Sequence, residues 1–340
     1  MGTGKIFHYI DGKFDYHQRV YLIYGFNHKV SGKYFYKIFS RLFYDRIMSM
    51  TAKSSVDSVR REMITEMSIP LPSFSEQVAV ANALSDMDAL IEELEKLIAK
   101  KQTIKTATMQ QLLTGKTRLP EFARHSDGSA KGYKTTELGV MPDDWLRTEL
   151  GAIASFSKGS GLPKSQLIDS GQFDCIHYGQ LFTEYGPRIE NTLSRTDFDG
   201  PNKSAVNDIL MPTSDVTPTG LATASSITVD GVVLGGDILI IRPDSEKLCG
   251  TFFAYLVPYM REQVMRLVTG TTVYHLYGRD MAKFVFYMPS LEEQSAIATI
   301  LNDMDAEIEQ LQNRLSKTRQ IKQGMMQELL TGKTRLPLAQ

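Results

Sequence analysis

The chain has 340 residues, of which 42% are hydrophobic and 23% charged, and its formal net charge is −1. That length fits about two domains of ordinary globular composition. Two cysteines are too few for a disulfide framework, and no apolar run approaches the ~20 residues of a membrane span. We therefore expect a reduced, cytoplasmic protein with no membrane partner. Residues 1–72 carry 11 basic and 6 acidic side chains, whereas residues 133–290 carry 13 and 18, so only the first segment is broadly basic.

The first element is GKIFHYIDGKFDYHQR, which begins at Gly4 and interleaves basic with aromatic side chains. We interpret it as a hairpin near the end of a domain that occupies residues 1–72. Its basic side chains would suit a polyanion. The competing interpretation is a leftover hairpin that exposes strand edges and core-type side chains.

A long repeat is the strongest signal in the chain. Residues 72–120 and 289–337 match at an offset of 217, with 28 of 49 positions identical and no gap. Each copy begins with Pro-Ser and has a glutamate three residues after the serine, which is a capping-box pattern. Apolar residues then follow at 3-4-3-4 spacing: Leu84, Met87, Ile91, Leu94 and Ile98 in the first copy, and Leu301, Met304, Ile308, Leu311 and Leu315 in the second.

This spacing predicts one helix in residues 73–120 and another in residues 291–340, each about 40 residues or ~60 Å long. We favour an antiparallel coiled coil between them, acting as a rigid spacer, over packing of each stripe inside a separate bundle. Each copy ends in LLTGKTRLP. A phosphate-binding loop would need a glycine five positions before the Gly-Lys, where Gln110 and Gln327 stand instead. The glycine is therefore interpreted as a helix stop.

A polar linker is predicted at residues 121–132, followed by a mixed α/β domain at residues 133–290. Short β-rich runs such as GVVLGGDILIIRP fill this domain, and one helix is predicted at residues 250–268 despite Pro258. Weaker similarity places YFYKIF at 34–39 over TFFAYL at 251–256. The offset leaves residues 133–217 without a counterpart in the first copy, so we expect the first domain to be truncated at its N-terminus.

The repeated helix starts, the paired LLTGKTRLP ends and the sequence GVMPDDWLRTELGAIASFSKG from Gly139 together resemble the specificity subunit of type I restriction–modification enzymes. The resemblance covers both helices, all of the second domain and only the last part of the first. It implies an α+β fold in which two target-recognition domains are joined by two long helices that form an antiparallel coiled coil.

The resemblance also implies a non-catalytic DNA-binding subunit. Each recognition domain would read half of a split double-stranded target, and the helices would set the spacer between the halves. Methyltransferase subunits would use S-adenosylmethionine to methylate adenine, and motor-endonuclease subunits would use ATP and Mg²⁺, so the chain itself would hold no cofactor and no metal. A second copy of the chain is an alternative partner for the complete half. The competing function is a non-reading adaptor or relic that binds methyltransferase subunits without productive recognition.

Candidate DNA contacts are small polar, basic and aromatic side chains in predicted loops, because such groups suit phosphates and base edges. In the second domain they are Lys158, Lys164, His177, Tyr178, Gln180, Lys203, Thr213, Ser214, Asp215, Thr217, Tyr274, His275 and Arg279. In the first they are Lys5, His8, Lys13, His17, Gln18 and Arg19. The alternative for each is an ordinary surface or turn residue.

Overall fold

The structure is a computed structural model, and it describes residues 4–50 and 58–336. In these ranges the helices are α1 (Gly32–Ser49), α2 (Arg61–Thr65), α3 (Phe74–Leu112), α4 (Gln180–Thr183), α5 (Gly250–Tyr259), α6 (Arg261–Leu267), α7 (Gly278–Met281) and α8 (Leu291–Leu329). The strands there are β1 (Tyr133–Thr136), β2 (Gly139–Pro142), β3 (Leu146–Glu149), β4 (Ala154–Lys158), β5 (Phe173–Ile176), β6 (Arg188–Ile189), β7 (Ser194–Thr196), β8 (Ile209–Pro212), β9 (Ser214–Asp215), β10 (Ser225–Ile227), β11 (Val233–Leu234), β12 (Ile238–Pro243), β13 (Tyr274–His275) and β14 (Val285–Met288).

The chain divides into two compact units. The first contains residues 1–100 and 309–340, and the second contains residues 101–308. Each unit therefore holds the beginning of one long helix and the end of the other. Among the described residues no helix combines the length and the apolar character needed to cross a membrane. The predicted α+β class is confirmed, and so are the two long helices.

The second unit is built on a five-stranded sheet with the order β4-β12-β8-β10-β6. Every neighbouring pair is antiparallel except β10 with β6. All four residues of β8 are buried, and so are all of β12 except Arg242. These strands are covered on both faces, which is why their sequences are continuous apolar runs and do not alternate. Helix α5 contributes Phe252 and Phe253 to the same core.

The single helix predicted at residues 250–268 is wrong in one respect. The structure has two helices there, α5 and α6, which are separated at Met260. Proline has no backbone N–H and its ring clashes with the preceding turn, so Pro258 disfavours an unbroken helix. The chain leaves helical geometry two residues later and starts a new helix at Arg261.

Helices α3 and α8 pair antiparallel within each unit. In the first unit, Leu90, Ile91, Leu94 and Ile98 pack against Leu311 and Leu315. Across the same pair, Arg319 donates to Glu95 at 2.6 Å and Lys322 lies 2.5 Å from Asp88. In the second unit, Lys101 lies 2.6 Å from Glu307, and Leu301 packs with Leu112 and Leu113. These contacts agree with the predicted antiparallel pairing in both units.

The predicted capping boxes are half right. Ser73 Oγ accepts the Glu76 N–H at 3.4 Å, and Ser290 Oγ accepts the Glu293 N–H at 3.3 Å. The glutamate side chains do not return to the serine backbone as a capping box requires. Each forms a two-point ion pair with an arginine of a repeated nonapeptide, because a guanidinium matches a carboxylate better than one neutral N–H does.

The repeated nonapeptides close the helices, as predicted. Helix α3 ends at Leu112 and α8 at Leu329, and the glycines that follow have φ values of 65° at Gly115 and 72° at Gly332. That left-handed conformation is the usual helix stop, and it costs glycine no steric strain. Pro337, the last residue of the second nonapeptide, lies outside the described residues.

The upstream alignment of the two copies needs a shift of one residue. Gln77 Nε2 donates to the Lys29 carbonyl and its Oε1 accepts the Ser31 N–H. Gln294 makes the same two bonds with the Lys247 carbonyl and the Cys249 N–H. The equivalent residues are thus 218 apart upstream of the first helix, and the ungapped match of 34–39 with 251–256 is off by one.

The hairpin predicted around His17 is not formed. Residues 4–31 contain no strand, although a turn links the Val20 N–H to the His17 carbonyl at 2.9 Å. Most of their large apolar side chains are exposed, including Ile10 (51%) and Tyr24 (79%), although Phe7 packs on Phe39 and Phe43 of α1. In the second unit the corresponding strands are β10, β11 and β12, which pair with β6, β5, β4 and β8. Among the described residues of the first unit, no strand lies beside residues 4–31 to take the place of those partners.

Candidate nucleic-acid interface

One edge of the five-stranded sheet collects side chains from separate segments of the second unit. Asp237, in the turn between β11 and β12, lies at its centre. Lys158 Nζ, at the end of β4, is 3.1 Å from Asp237 Oδ1. The Thr213 N–H donates to the Asp237 carbonyl at 2.9 Å, and the Thr213 hydroxyl donates to Oδ1 at 3.5 Å. Lys158 and Thr213 were selected from sequence but Asp237 was missed, and its Gly-Gly-Asp turn before a strand was the available signal.

His177 lies near the same carboxylate, and Lys164 lies near His177. Burial lowers the pKa of the His177 imidazole below its ordinary value, the positive charge of Lys164 lowers it further, and Asp237 acts in the opposite direction. His177 is therefore neutral at pH 7. Its Nδ1 accepts the Gly179 N–H at 3.2 Å, which leaves the proton on Nε2 as a donor. A guanine edge offers two acceptors to such a donor.

Both polar groups of the Gln180 side chain are already hydrogen-bonded within the protein. Its Oε1 accepts the His177 N–H at 2.9 Å, and its Nε2 donates to Ser194 Oγ at 2.9 Å. An amide that reads adenine needs both of these groups free. The geometry therefore favours a positioning role for Gln180. Tyr178 packs between His177 at 4.7 Å and Phe182 at 6.3 Å between ring centroids, so the loop presents an aromatic group.

The loops predicted at 213–217 and 274–279 meet as a two-stranded ribbon. Ser214 pairs with His275 and Asp215 with Tyr274, antiparallel. The Leu276 N–H also donates to the Thr213 carbonyl at 3.0 Å, which ties the base of the ribbon to the sheet edge. Neither loop alone indicates this pairing, because about sixty residues separate them.

The Asp215 and Thr217 side chains bond to each other. Asp215 Oδ1 accepts the Val216 N–H at 2.7 Å, and Oδ2 accepts the Thr217 hydroxyl at 2.8 Å. A Cβ added at Gly220 would lie 1.8 Å from Asp215 Oδ2, so the absence of a side chain there lets the carboxylate sit in this position. Asp215 thus shapes the ribbon end, and the residue it fixes, Val216, was not selected from sequence.

The remaining basic candidates, Arg279 and Lys203, differ in how accessible their charged groups are. Arg279 is 81% exposed at its side chain, its Nε lies 3.7 Å from Asp280 Oδ2, and its guanidinium lies 5.1 Å from the Tyr277 ring centroid. Tyr277 in turn stacks on His275 at 6.1 Å. Lys203 forms an ion pair with Asp199 at 2.8 Å and lies over the Phe173 ring at 4.9 Å. Arg279 is therefore the more available cation for a phosphate or a guanine.

The candidates in the first unit do not form a comparable cluster. Lys5 lies over the Tyr44 ring at 4.3 Å. His17 Nδ1 accepts the Arg19 N–H at 3.2 Å inside the exposed turn. The other three candidates there are exposed along the segment without strands: His8, Lys13 and Gln18. Their role as DNA contacts stays a prediction.

A family model described as "Type I restriction modification DNA specificity domain" matches residues 2–106 and 142–318. The chain belongs to this specificity family. Two relatives from Methanocaldococcus jannaschii agree with the assignment: a candidate type I restriction enzyme MjaX specificity subunit, 28% identical, and the type I restriction enzyme MjaVIII specificity subunit, 25% identical. Each alignment covers 85% of this chain, but only 65% and 67% of the respective relative. The chain thus spans about two thirds of the length of these specificity subunits.

The fold agrees with a solved member of the same class. The crystal structure of a type I restriction–modification S subunit from M. genitalium superposes with a TM-score of 0.59 at 17% identity. The superposition covers 89% of this chain and 73% of that one. At this identity the likeness concerns the fold alone, which supports the α+β recognition-domain architecture and the two long helices.

Proposed function

We propose that this chain is the DNA sequence-recognition subunit of a type I restriction–modification complex. One observation carries the proposal: the edge around Asp237 gathers Lys158, His177 and the β9–β13 ribbon in a member of the specificity family. Lysine side chains there suit phosphates, and a neutral histidine and a two-stranded ribbon suit base edges in a major groove. Residues 101–308 would read one half of a split target.

The chemistry would belong to the partners. We propose that methyltransferase subunits bind S-adenosylmethionine and modify adenine, and that motor-endonuclease subunits bind ATP and Mg²⁺. This chain would contribute recognition and no catalysis. Helices α3 and α8, 39 residues each, would act as the spacer that sets the separation of the two half-targets. The repeated nonapeptides are candidates for docking the partner subunits.

Two ion pairs at opposite ends of β12 provide a matched test. The pair of Lys158 and Asp237 lies at the beginning of the strand. The pair of Lys247 and Asp244, 2.9 Å apart, lies beyond its end. We expect Lys158→Ala to weaken binding of duplex DNA and to reduce the salt dependence by about one phosphate contact. Asp237→Asn should strengthen binding, because it removes a negative charge that repels phosphate.

The measurement is fluorescence anisotropy with labelled duplex DNA across a salt series, using the chain bound to methyltransferase subunits. Lys247→Ala and Asp244→Asn should leave affinity and salt slope unchanged. Equal effects at both ends of β12, or none at either, would count against this edge as the interface. Mapping N6-methyladenine in DNA exposed to the complex then reports whether recognition directs modification.

A non-reading adaptor is the second candidate function. Residues 4–31 favour it, because they expose large apolar side chains and contain no strand that could complete a recognition domain. Such a chain would bind methyltransferase subunits and yet produce no sequence-specific methylation. Adding it to an intact specificity subunit would then reduce methylation by competition, whereas a reading subunit would add its own motif.

A further inference from the structure

The ribbon of β9 and β13 ends in two apolar side chains that point to a specific base contact. One residue past the Asp215–Tyr274 pair, the strands carry Val216, which is 72% exposed, and Val273, which is 43% exposed. The opposite end of the ribbon is tied to the sheet edge, where the Thr213 N–H donates to the Asp237 carbonyl. Val216 therefore lies at the free end of a projection from the proposed DNA-binding edge.

A single exposed valine is common on protein surfaces and means little by itself. Val216 differs because it lies at the end of the ribbon on the proposed DNA-binding edge and its backbone is fixed there. Asp215 Oδ1 holds its N–H at 2.7 Å, and Thr217 holds the other carboxylate oxygen at 2.8 Å. A β-branched side chain on a fixed backbone has few rotamers, so the two methyl groups are presented in a defined direction.

The major groove accepts a two-stranded ribbon, and the apolar group it displays there is the 5-methyl of thymine. Side chains that wedge between base steps in the minor groove are Phe, Leu, Ile, Met or Pro. Valine is shorter than nearly all of these and suits a methyl-to-methyl contact better. We infer that Val216 contacts the 5-methyl group of one thymine in the target and discriminates it from cytosine. This inference rests on the proposed function.

The test uses Val206→Ala as a control. Val206 is 53% exposed, and its N–H is likewise held by an aspartate, Asp230, at 2.7 Å. It precedes β8, whereas Val216 follows it, so the same side-chain change is made at the opposite end of that strand. Both variants remove exposed methyl groups and leave the core intact.

The wild-type chain, bound to methyltransferase subunits, is used to select its motif from randomised duplexes. Each thymine in that motif is then replaced by deoxyuridine, which removes only the methyl group. We expect one replacement to weaken binding about fourfold, the value of one buried methyl group, for the wild type and for Val206→Ala. Val216→Ala should bind the thymine duplex about fourfold more weakly and should not respond to that replacement.

Three outcomes are decisive. If Val216→Ala keeps the wild-type response to every deoxyuridine, the inference is wrong while the proposed function stands. The same holds if the selected motif contains no thymine or no thymine depends on its methyl group. If the wild-type complex selects no motif at all, the proposed function fails and the inference fails with it.

Discussion

The two repeated helix ends have the same ion pair in different surroundings. In the second unit, the guanidinium of Arg118 binds Glu293 at 2.9 and 2.5 Å, and the two side chains are 3% and 2% exposed. In the first unit, Arg335 binds Glu76 with the same two distances, but its side chain is 71% exposed. Identical local sequences thus give a pair buried at both side chains in one copy and a pair with an exposed arginine in the other.

The difference comes from the segment that opens the second domain. Asp144 accepts a second bond from Arg118 at 2.6 Å, and the Trp145 indole N–H donates to Glu293 at 3.3 Å. The same segment packs on the helix stop: a Cβ added at Gly115 would lie 2.5 Å from Pro142, whereas one at Gly332 would meet nothing within 4 Å. The lesson is that the repeat supplies the pair, and a neighbouring domain decides whether water reaches it.

The largest contrast should come from the arginines. Arg118→Ala leaves a buried carboxylate without its partner and should lower the free energy of unfolding of the second unit by about 3–5 kcal/mol. Arg335→Ala removes an arginine that water already screens, so we expect a smaller loss than for Arg118→Ala. Urea unfolding followed by the fluorescence of Trp145, the single tryptophan, reports on the first variant directly. Circular dichroism serves for both, and equal losses would contradict the comparison.

The next contrast concerns apolar residues at equivalent positions upstream of the helices. Ile241 is 0% exposed in β12, whereas Ile23, its counterpart at a spacing of 218, is 38% exposed. Ile241→Ala should destabilise the second unit by about 3 kcal/mol, because it opens a cavity in the core.

Ile23→Ala should have almost no effect on the first unit. Hydrogen exchange of the α1 amides would measure the stability of the first unit in Ile23→Ala. Tryptophan fluorescence during urea unfolding would measure the stability of the second unit in Ile241→Ala. Strong loss of α1 protection in Ile23→Ala would indicate that the Ile23 side chain does stabilise the first unit.

The smallest contrast between the two copies should come from a pair of buried glutamines at the helix starts. Gln77 and Gln294 are both fully buried, and each bonds to three backbone groups. Replacing either by alanine leaves buried groups unpaired, at a cost of about 2 kcal/mol. Hydrogen exchange at the Ser31 and Cys249 amides, which donate to these glutamines, gives a local reading of each variant. An amide that stays protected in either variant would contradict the role of that glutamine as the group that shields it.

Much of the fold follows from local patterns. The 3-4 spacing of apolar residues predicted both long helices and their antiparallel pairing, and Gly115 and Gly332 marked their ends. Strand-forming runs such as residues 238–243 were also evident, because a continuous apolar run bounded by turn residues is typical of a buried strand. The break at Met260 was missed, because a proline is tolerated in some helices and ends others according to packing.

The candidate interface was predicted in parts. Residues such as Lys158, His177 and Thr213 could be named from loop composition, but their convergence on Asp237 depends on the strand order β4-β12-β8. Gln180 shows the limit of residue type: its amide suits a base, yet the fold uses both of its groups internally. Val216 had no polar signal and becomes noticeable only once Asp215 and Thr217 fix its backbone.

By itself, the sequence determined the duplication, the helices, the helix stops and the family, because these depend on spacings within short segments of chain. The tertiary structure alone decided which carboxylate each repeated arginine binds, whether that pair is buried, and which loops share one edge of the sheet. Those outcomes depend on contacts between residues far apart in sequence. Their energies are set by burial and by the presence of a third group such as Trp145, and no local pattern encodes either.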